Sequence, residues 1–339
     1  MIQIVPLESG YYDAYYALVQ STPWGNPMLP MQYNSSLWGM VLLDDGTVVG
    51  GWVGTLRGDK RLVRLLAKSV YFDSYPVFAT TEVENGYADK LLDAVRDYAH
   101  ASKVIMLNLT HWVRGNGLTV DKPEDNATFV YDLSTPLEDL YAKLDRLKKR
   151  TIKKAEAAQL EVKFYYKDEA LPHIQEFQAL REVTQQRAIA HNSSSSMLLK
   201  SDAFFHKILT DYEAYLVAVY WQRRMVAAAT FVCGGQTVYG HMAGSDSDAN
   251  RQTGSGTYYY WKAIEYFQQK GLKFFDFGGC PVNPKEDDPA YGVYAFKRSF
   301  GGEYREFDGG TIVVSPRRYR LLQWALSQRK LLRLFSSKL

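Results

Sequence analysis

Three segments of this 339-residue chain place reactive residue types at spacings that chemistry can use. The first is Arg251-Gln252-Thr253-Gly254-Ser255-Gly256-Thr257, directly before the helical run TYYYWKAIEYF. Gly254 and Gly256 would let the backbone approach a ligand closely, and free N–H groups at a helix mouth, with Arg251 beside them, favour an anion. A glycine-rich turn with nothing bound is the other reading. The second is RLKKRTIKK at 146–154, six basic residues in nine. Its Lys149 and Lys153 could contact donor phosphates, or the stretch is a solvated helix face with its interleaved apolar residues packed. The third pairs GLKFFDFGG at 271–279 with YAFKRSFGGE at 294–303. Asp276, at a strand end beside two glycines, either orients a substrate or caps the turn. Lys297 either stabilises a developing oxyanion as a partly desolvated ammonium or lies on the solvent face of a helix.

The elements that must carry these residues alternate between strand and helix. WGMVLLD and TVVGGWVG, joined by Asp45-Gly46, predict a hairpin over 38–54. Leu91, Leu92, Val95 and Tyr98 predict a helix over 85–101, followed by a strand at 104–109. Ser134-Thr135-Pro136 opens a helix expected to run unbroken through LEDLYAKLDRLKKRTIKKAEAA, with a strand at 160–166, a long helix around 168–190 and a polar loop at 191–196 after it. Then come a three-strand meander (214–220, 225–233, 236–243), a helix at 254–270, a strand at 273–278, a short helix near 290–299 and a closing helix after 316.

Composition narrows the function classes. At 46% apolar and 23% charged, with 14% aromatic residues, the chain can build a large core, which excludes disordered and fibrous classes. A net charge of +3 is too small for a chromatin-like nucleic-acid binder. No CxxC, HxxxH or acidic loop pattern predicts a metal site, and Cys233 and Cys280 read as reduced thiols. The N-terminus lacks a signal-peptide pattern, so a cytoplasmic location is expected.

A meander, a glycine-opened helix and a strand ending in Asp-Phe-Gly, in that order, resemble the core of GNAT-type acyltransferases. With RLKKRTIKKAEAAQLEV, AYLVAVYWQRRMVAAATF, TVYGHMAGSD, GLKFFDFGG and YAFKRSFGGEYREF in succession, residues 130–315 resemble the FemABX family. Residues 1–130 do so only through Thr22-Pro23-Trp24-Gly25 and element order. The resemblance implies an α/β protein of two tandem GNAT-like units, mixed sheets flanked by helices, without a coiled-coil arm. The expected division is 1–133, 134–315 and a C-terminal basic helix 316–339 packed back on the first unit.

It also implies an enzyme that moves an aminoacyl group from aminoacyl-tRNA to an amine of a peptidoglycan precursor stem peptide, with no metal and no tightly bound cofactor. In it Phe296 and Lys297 would form the catalytic pair, Lys297 stabilising the oxyanion. Tyr239 and His241, with Asp276, would bind substrate. Arg251, Gly254, Gly256, Lys149 and Lys153 would hold the donor phosphates. Residues 28–36 lack the basic groups of nucleotide-peptide-binding members, Thr110-His111 stands where they have an acid, and 192–196 replaces an arginine loop. Those departures and the intact R-x-x-G-x-G keep an acyl-CoA or acyl-carrier donor as the alternative, and a non-catalytic tRNA- or precursor-binding protein as a third. The tail holds seven basic residues and no acidic one beside Leu321, Leu322 and Trp324. Its apolar side is expected to be mostly buried, with weak membrane-surface contact at the inner face as a secondary expectation.

Overall fold

The computed structural model describes residues 1–58, 67–110, 118–190, 199–307 and 309–327; His111 and the loop at 191–196 lie outside them. Among the described residues, fifteen strands fall into two mixed sheets.

In the first sheet, β1 (Ile2–Pro6), the hairpin β2 (Leu37–Asp44) and β3 (Thr47–Arg57), and β4 (Ser69–Phe72) are antiparallel, with the two-residue β5 (Val77–Phe78) on β3. The chain then crosses through a helix, Thr81–Ala101, and returns as β6 (Met106–Leu109) parallel to β4. A parallel return needs such a crossover, because a tight turn can only reverse direction. The helix starts where Thr80 accepts the Val83 N–H, and its Leu91, Val95 and Ala99 form a buried stripe.

The second sheet repeats this plan. β9 (Glu161–Tyr166), β10 (Ala214–Trp221), β11 (Arg224–Gly234) and β12 (Thr237–Ser245) are antiparallel, and β13 (Phe274–Asp276) returns parallel to β12. The strand orders are β1-β2-β3-β4-β6-β15-β7 and β9-β10-β11-β12-β13-β8-β14, with the parallel pair at the same place in each. The sixth and seventh strands are β15 (Gly310–Val313) and β7 (Lys122–Pro123) in one sheet, β8 (Ala127–Asp132) and β14 (Glu303–Glu306) in the other. In both, the sixth strand comes from far away in the chain.

Among the described residues the α-helices are α1 (Ser9–Ser21), α2 (Thr81–Ala101), α3 (Leu137–Lys143), α4 (Arg146–Ala157), α5 (Ile174–Ala190), α6 (Asp202–Asp211), α7 (Ser247–Thr253), α8 (Ser255–Gln269), α9 (Tyr291–Arg298) and α10 (Pro316–Ser327). The long helix expected from residue 136 onward is two helices. Leu144 turns extended, and Asp145 accepts the Lys148 N–H at 2.7 Å to cap a new start. A short acidic side chain competes in this way with continuation of the helix.

The division of the chain also differs from the expected one. One compact unit holds Met1–Val19, Gln32–Glu124 and the described residues from 309 on; the other holds Gln20–Met31 and Asp125–Phe307. Segment 20–31 joins the second unit because its backbone meets β11 and β12: the Gln236 N–H donates to Thr22 O at 2.9 Å and Thr237 Oγ1 to Pro23 O at 2.6 Å. Trp24 also stacks on Phe274. Strand pairing decides the rest, since β8 hydrogen-bonds β13 and β15 hydrogen-bonds β6.

The second unit's core gathers Phe231, Tyr260, Phe267, Phe275, Phe277 and Phe300. Strands β10 and β11 are buried at nearly every position, the pattern of strands covered on both faces. In the first unit, α10 donates from Arg318 Nη1 to Lys103 O at 2.8 Å. Its apolar side is not mostly buried as expected. Leu322 is buried, whereas Leu321, Trp324 and Leu326 are 48%, 59% and 40% exposed. The apolar positions form one wide arc of the helix, and of the large ones only Leu322 is buried.

Candidate functional site

Lys297 lies on α9 and is buried, not on a solvent face. Its ammonium donates to Gly278 O and Gly279 O, both at 2.7 Å. Burial pushes it down to about 8, against the opposing pull of Cys280 and Asp276. The two acceptors are neutral carbonyls, so the charge is held without being neutralised, and they take two of the three N–H donors.

The cradle is built where β13 ends. Asp276 is fully buried; its Oδ1 accepts the Gly278 N–H at 2.8 Å and the Thr128 hydroxyl at 2.6 Å. That hydroxyl also lies 2.8 Å from Gly278 O. Asp276 thus shapes the turn that aims the carbonyls, rather than reaching out for a substrate. Gly278 has φ +77°, and a Cβ there would lie 2.6 Å from Gly240 O and 3.6 Å from Lys297 Nζ. The β12 backbone between Tyr239 and His241 therefore borders the cradle.

Tyr239 is itself fully buried and donates to Gly25 O at 3.3 Å, which ties β12 to segment 20–31. His241 is half-buried, with Nδ1 3.2 Å from Thr230 Oγ1. The pairing skips it: Phe231 faces Gly240 and Thr230 faces Met242. Such a bulge resets the alternation of faces along a strand.

In the turn expected to hold donor phosphates, the backbone amides have partners within the turn itself. At the start of α8 the Gly256 N–H is taken by Asn250 Oδ1 at 2.8 Å and the Ser255 N–H by Thr253 Oγ1 at 3.3 Å. The Thr257 and Tyr258 N–H groups go to Gly254 O. Gly254 adopts φ +77° against the Thr151 side chain, which a Cβ would strike. Arg251 points to solvent and pairs with Asp248 at 3.0 Å. An anion needs unclaimed donors, and this turn has spent its own.

The basic stretch sorts itself by helical position. On α4, Lys148, Ile152 and Ala155 are buried, while Lys153 is exposed and Lys149 reaches back to Ala142 O at 2.8 Å. Lys148 is the residue that sequence reasoning passed over. Its Nζ sits 3.5 Å from the Phe296 ring centre, 4.7 Å from that of Phe300, and 3.2 Å from Thr257 Oγ1. Burial brings its ammonium down to about 8 as well, Asp145 opposing. The signal was present in the sequence, since Lys148 falls four and seven positions before two buried apolar residues.

These two lysines make a pH prediction. Both are held below the usual 10.5 in the fold, so above about pH 8 the unfolded chain binds more protons and stability rises with pH. The buried thiols of Cys233 and Cys280, held above 9.0, act oppositely at higher pH. The urea midpoint is therefore expected to climb between about pH 8 and 9, with a slope in Lys148→Met smaller by up to about one proton. An unchanged slope in that variant would show that Lys148 titrates normally.

Each unit, with its meander, crossover helix and parallel return, is GNAT-like, and the chain carries two of them in tandem. Residues 215–326 match the FemAB family. The chain is similar to the solved structure of FemX, with TM-score 0.68, 14% identity and coverage of 94% of this chain and 99% of that one. It also resembles the C-terminal domain of a protein named as a lysylphosphatidylglycerol synthetase from Agrobacterium fabrum (TM-score 0.59, 12% identity, 94% and 96% covered). L-PGS from Bacillus licheniformis follows (0.54, 10%, 96% and 97%). Among curated proteins none matches its sequence. The family match is confined to residues 215–326, and the likeness to these solved structures is one of fold.

Proposed function

We propose that this protein transfers an aminoacyl group from aminoacyl-tRNA to an amine of a peptidoglycan precursor stem peptide. The observation that carries the reading is the buried Lys297 ammonium, held by two carbonyls, in the FKR run that the family resemblance singles out. The acceptor amine attacks the ester carbonyl of the charged tRNA, a C–N bond forms, and the ester C–O bond breaks. The tRNA terminal hydroxyl leaves with the proton that the amine gives up. Between those events the carbonyl oxygen carries a negative charge, and the remaining Lys297 N–H meets it. A preorganised charged donor in a water-poor site stabilises such an oxyanion far more than water does. Phe296, beside Lys297 on α9, belongs to the wall of the site.

The internally used amides of the turn at 251–257 favour the aminoacyl-tRNA reading over a pantetheine donor. The deciding experiment supplies tRNA charged with radiolabelled amino acids and, separately, labelled acyl-CoA, with amine-bearing stem peptides as acceptors. Label moving to the peptide from tRNA supports the reading, and transfer only from acyl-CoA replaces it.

A peripheral position at the membrane is part of the same reading, because α10 presents exposed Trp324 and Leu321 among Arg317, Arg318 and Arg320. Aromatic and cationic groups on one short helix suit an anionic bilayer surface. Co-sedimentation with phosphatidylglycerol vesicles is expected and should weaken severalfold in Trp324→Ser. Equal pelleting of both proteins removes α10 from the interaction. Among the described residues no helix is long and apolar enough to cross a membrane.

A further inference from the structure

We infer that Lys148 is a positioning residue for Lys297, clamping the Phe296 face of α9 so that the neighbouring ammonium stays in the Gly278–Gly279 cradle. The functional consequence rests on the acyl-transfer reading of Lys297; the geometry does not.

One ammonium here meets three helices. Lys148 extends from α4, its Nζ approaches Thr257 on α8, and it lies over the rings of Phe296 and Phe300, on and just after α9. A buried ammonium with one neutral hydrogen-bond partner is costly, and among the described residues no carboxylate pairs with it. An apolar side chain of similar length would fill the same space without that cost. What it would not provide is a directional hold on an aromatic face, which a desolvated cation does.

That hold adds to the packing of Tyr294 against Phe129 and Tyr304, which also bears on the rotation of α9. It spans eight residues and has no side-chain cap at its start. Phe296 and Lys297 are consecutive, so they project about 100° apart from one short cylinder. Turning the helix to free Phe296 from Lys148 would swing Lys297 away from the carbonyls of 278 and 279. Tyr260, with its ring centre 5.6 Å from that of Phe296 and 5.7 Å from that of Phe300, closes the far side of the aromatic group. Packing of the rings bounds the motion, and the cation selects one position within those bounds.

The test reads Lys297 directly and needs no substrate. The folded protein is pulsed with acetic anhydride across a pH series, and acetylation of Lys297 is quantified by mass spectrometry relative to exposed Lys153. Lys297 is expected to react slowly in the native chain. In Lys148→Met its relative labelling should rise about tenfold, the scale of a desolvated cation–π contact, with its pH midpoint moving up toward an ordinary lysine. Lys148→Arg should restore native labelling, because guanidinium also binds ring faces. Phe296→Leu should match Lys148→Met, and the double variant should add nothing further, as expected for two residues acting through one contact. If Lys148→Met fails to fold, Phe296→Leu and Lys148→Arg carry the comparison. Native labelling of Lys297 in the folded Lys148→Met or Phe296→Leu protein overturns the inference, as does additivity in the double variant. A failure of the transfer reading would look different: Lys297→Ala would keep full turnover while the labelling pattern stayed as described.

Discussion

Lys297→Ala is expected to lower turnover about 10²–10³-fold, the loss measured when one oxyanion donor is removed from an acyl-transfer site. The effect should fall on kcat more than on KM, because the interaction forms only as the carbonyl oxygen gains charge. The side chain makes just two hydrogen bonds, both to backbone carbonyls, so the variant should fold. Removing a buried ammonium whose charged form is disfavoured by burial should not itself destabilise the chain near neutral pH. The native enzyme should also lose turnover as pH rises through about 8, where Lys297 gives up its proton. Transfer of label from charged tRNA, measured under single-turnover conditions, checks both statements. Turnover within a few-fold of native in the variant would reduce Lys297 to a structural lysine.

The second large effect belongs to Gly278, through stability as well as activity. Its φ of +77° is strained for any residue with a Cβ, and that Cβ would sit 2.6 Å from Gly240 O, a backbone atom that cannot rotate away. Gly278→Ala is therefore expected to cost roughly 2–4 kcal/mol, in the range for a special backbone conformation combined with a core clash. Relief would require β13 and β12 to separate, which also moves the carbonyls that hold Lys297. Turnover should thus fall in the variant even at temperatures where it remains folded. Urea unfolding and turnover measured on the same preparation test this. A variant as stable as the native chain would mean that the turn relaxes without disturbing β12.

Asp276 illustrates how far the sequence alone could go. Its position at a strand end before two glycines was legible, and so were two roles for it. The partner that decided between them, Thr128, lies on β8, a strand the hydropathy pattern left unmarked and 148 positions away. Thr22-Pro23-Trp24-Gly25 was legible as a motif but pointed to the wrong unit, because its neighbours are residues 235–237 and Phe274.

What the sequence by itself determined is the order of meander, helix and strand in the second half and of hairpin, helix and strand in the first, since alternation, helical periodicity and turn residues are local properties. The tertiary structure alone decided which cations are buried. Lys148 and Lys297 enter the core while Lys149, Lys153 and Arg251 stay with solvent or neighbouring backbone, because burial depends on rings and carbonyls contributed by distant elements. It alone decided that the R-x-x-G-x-G turn closes on itself, since Asn250 and Thr253 could satisfy its amides only once α7 and α8 met. The exchange of β8 and β15 was likewise beyond local pattern, for a sixth strand is chosen by the open edge it completes rather than by its own residues.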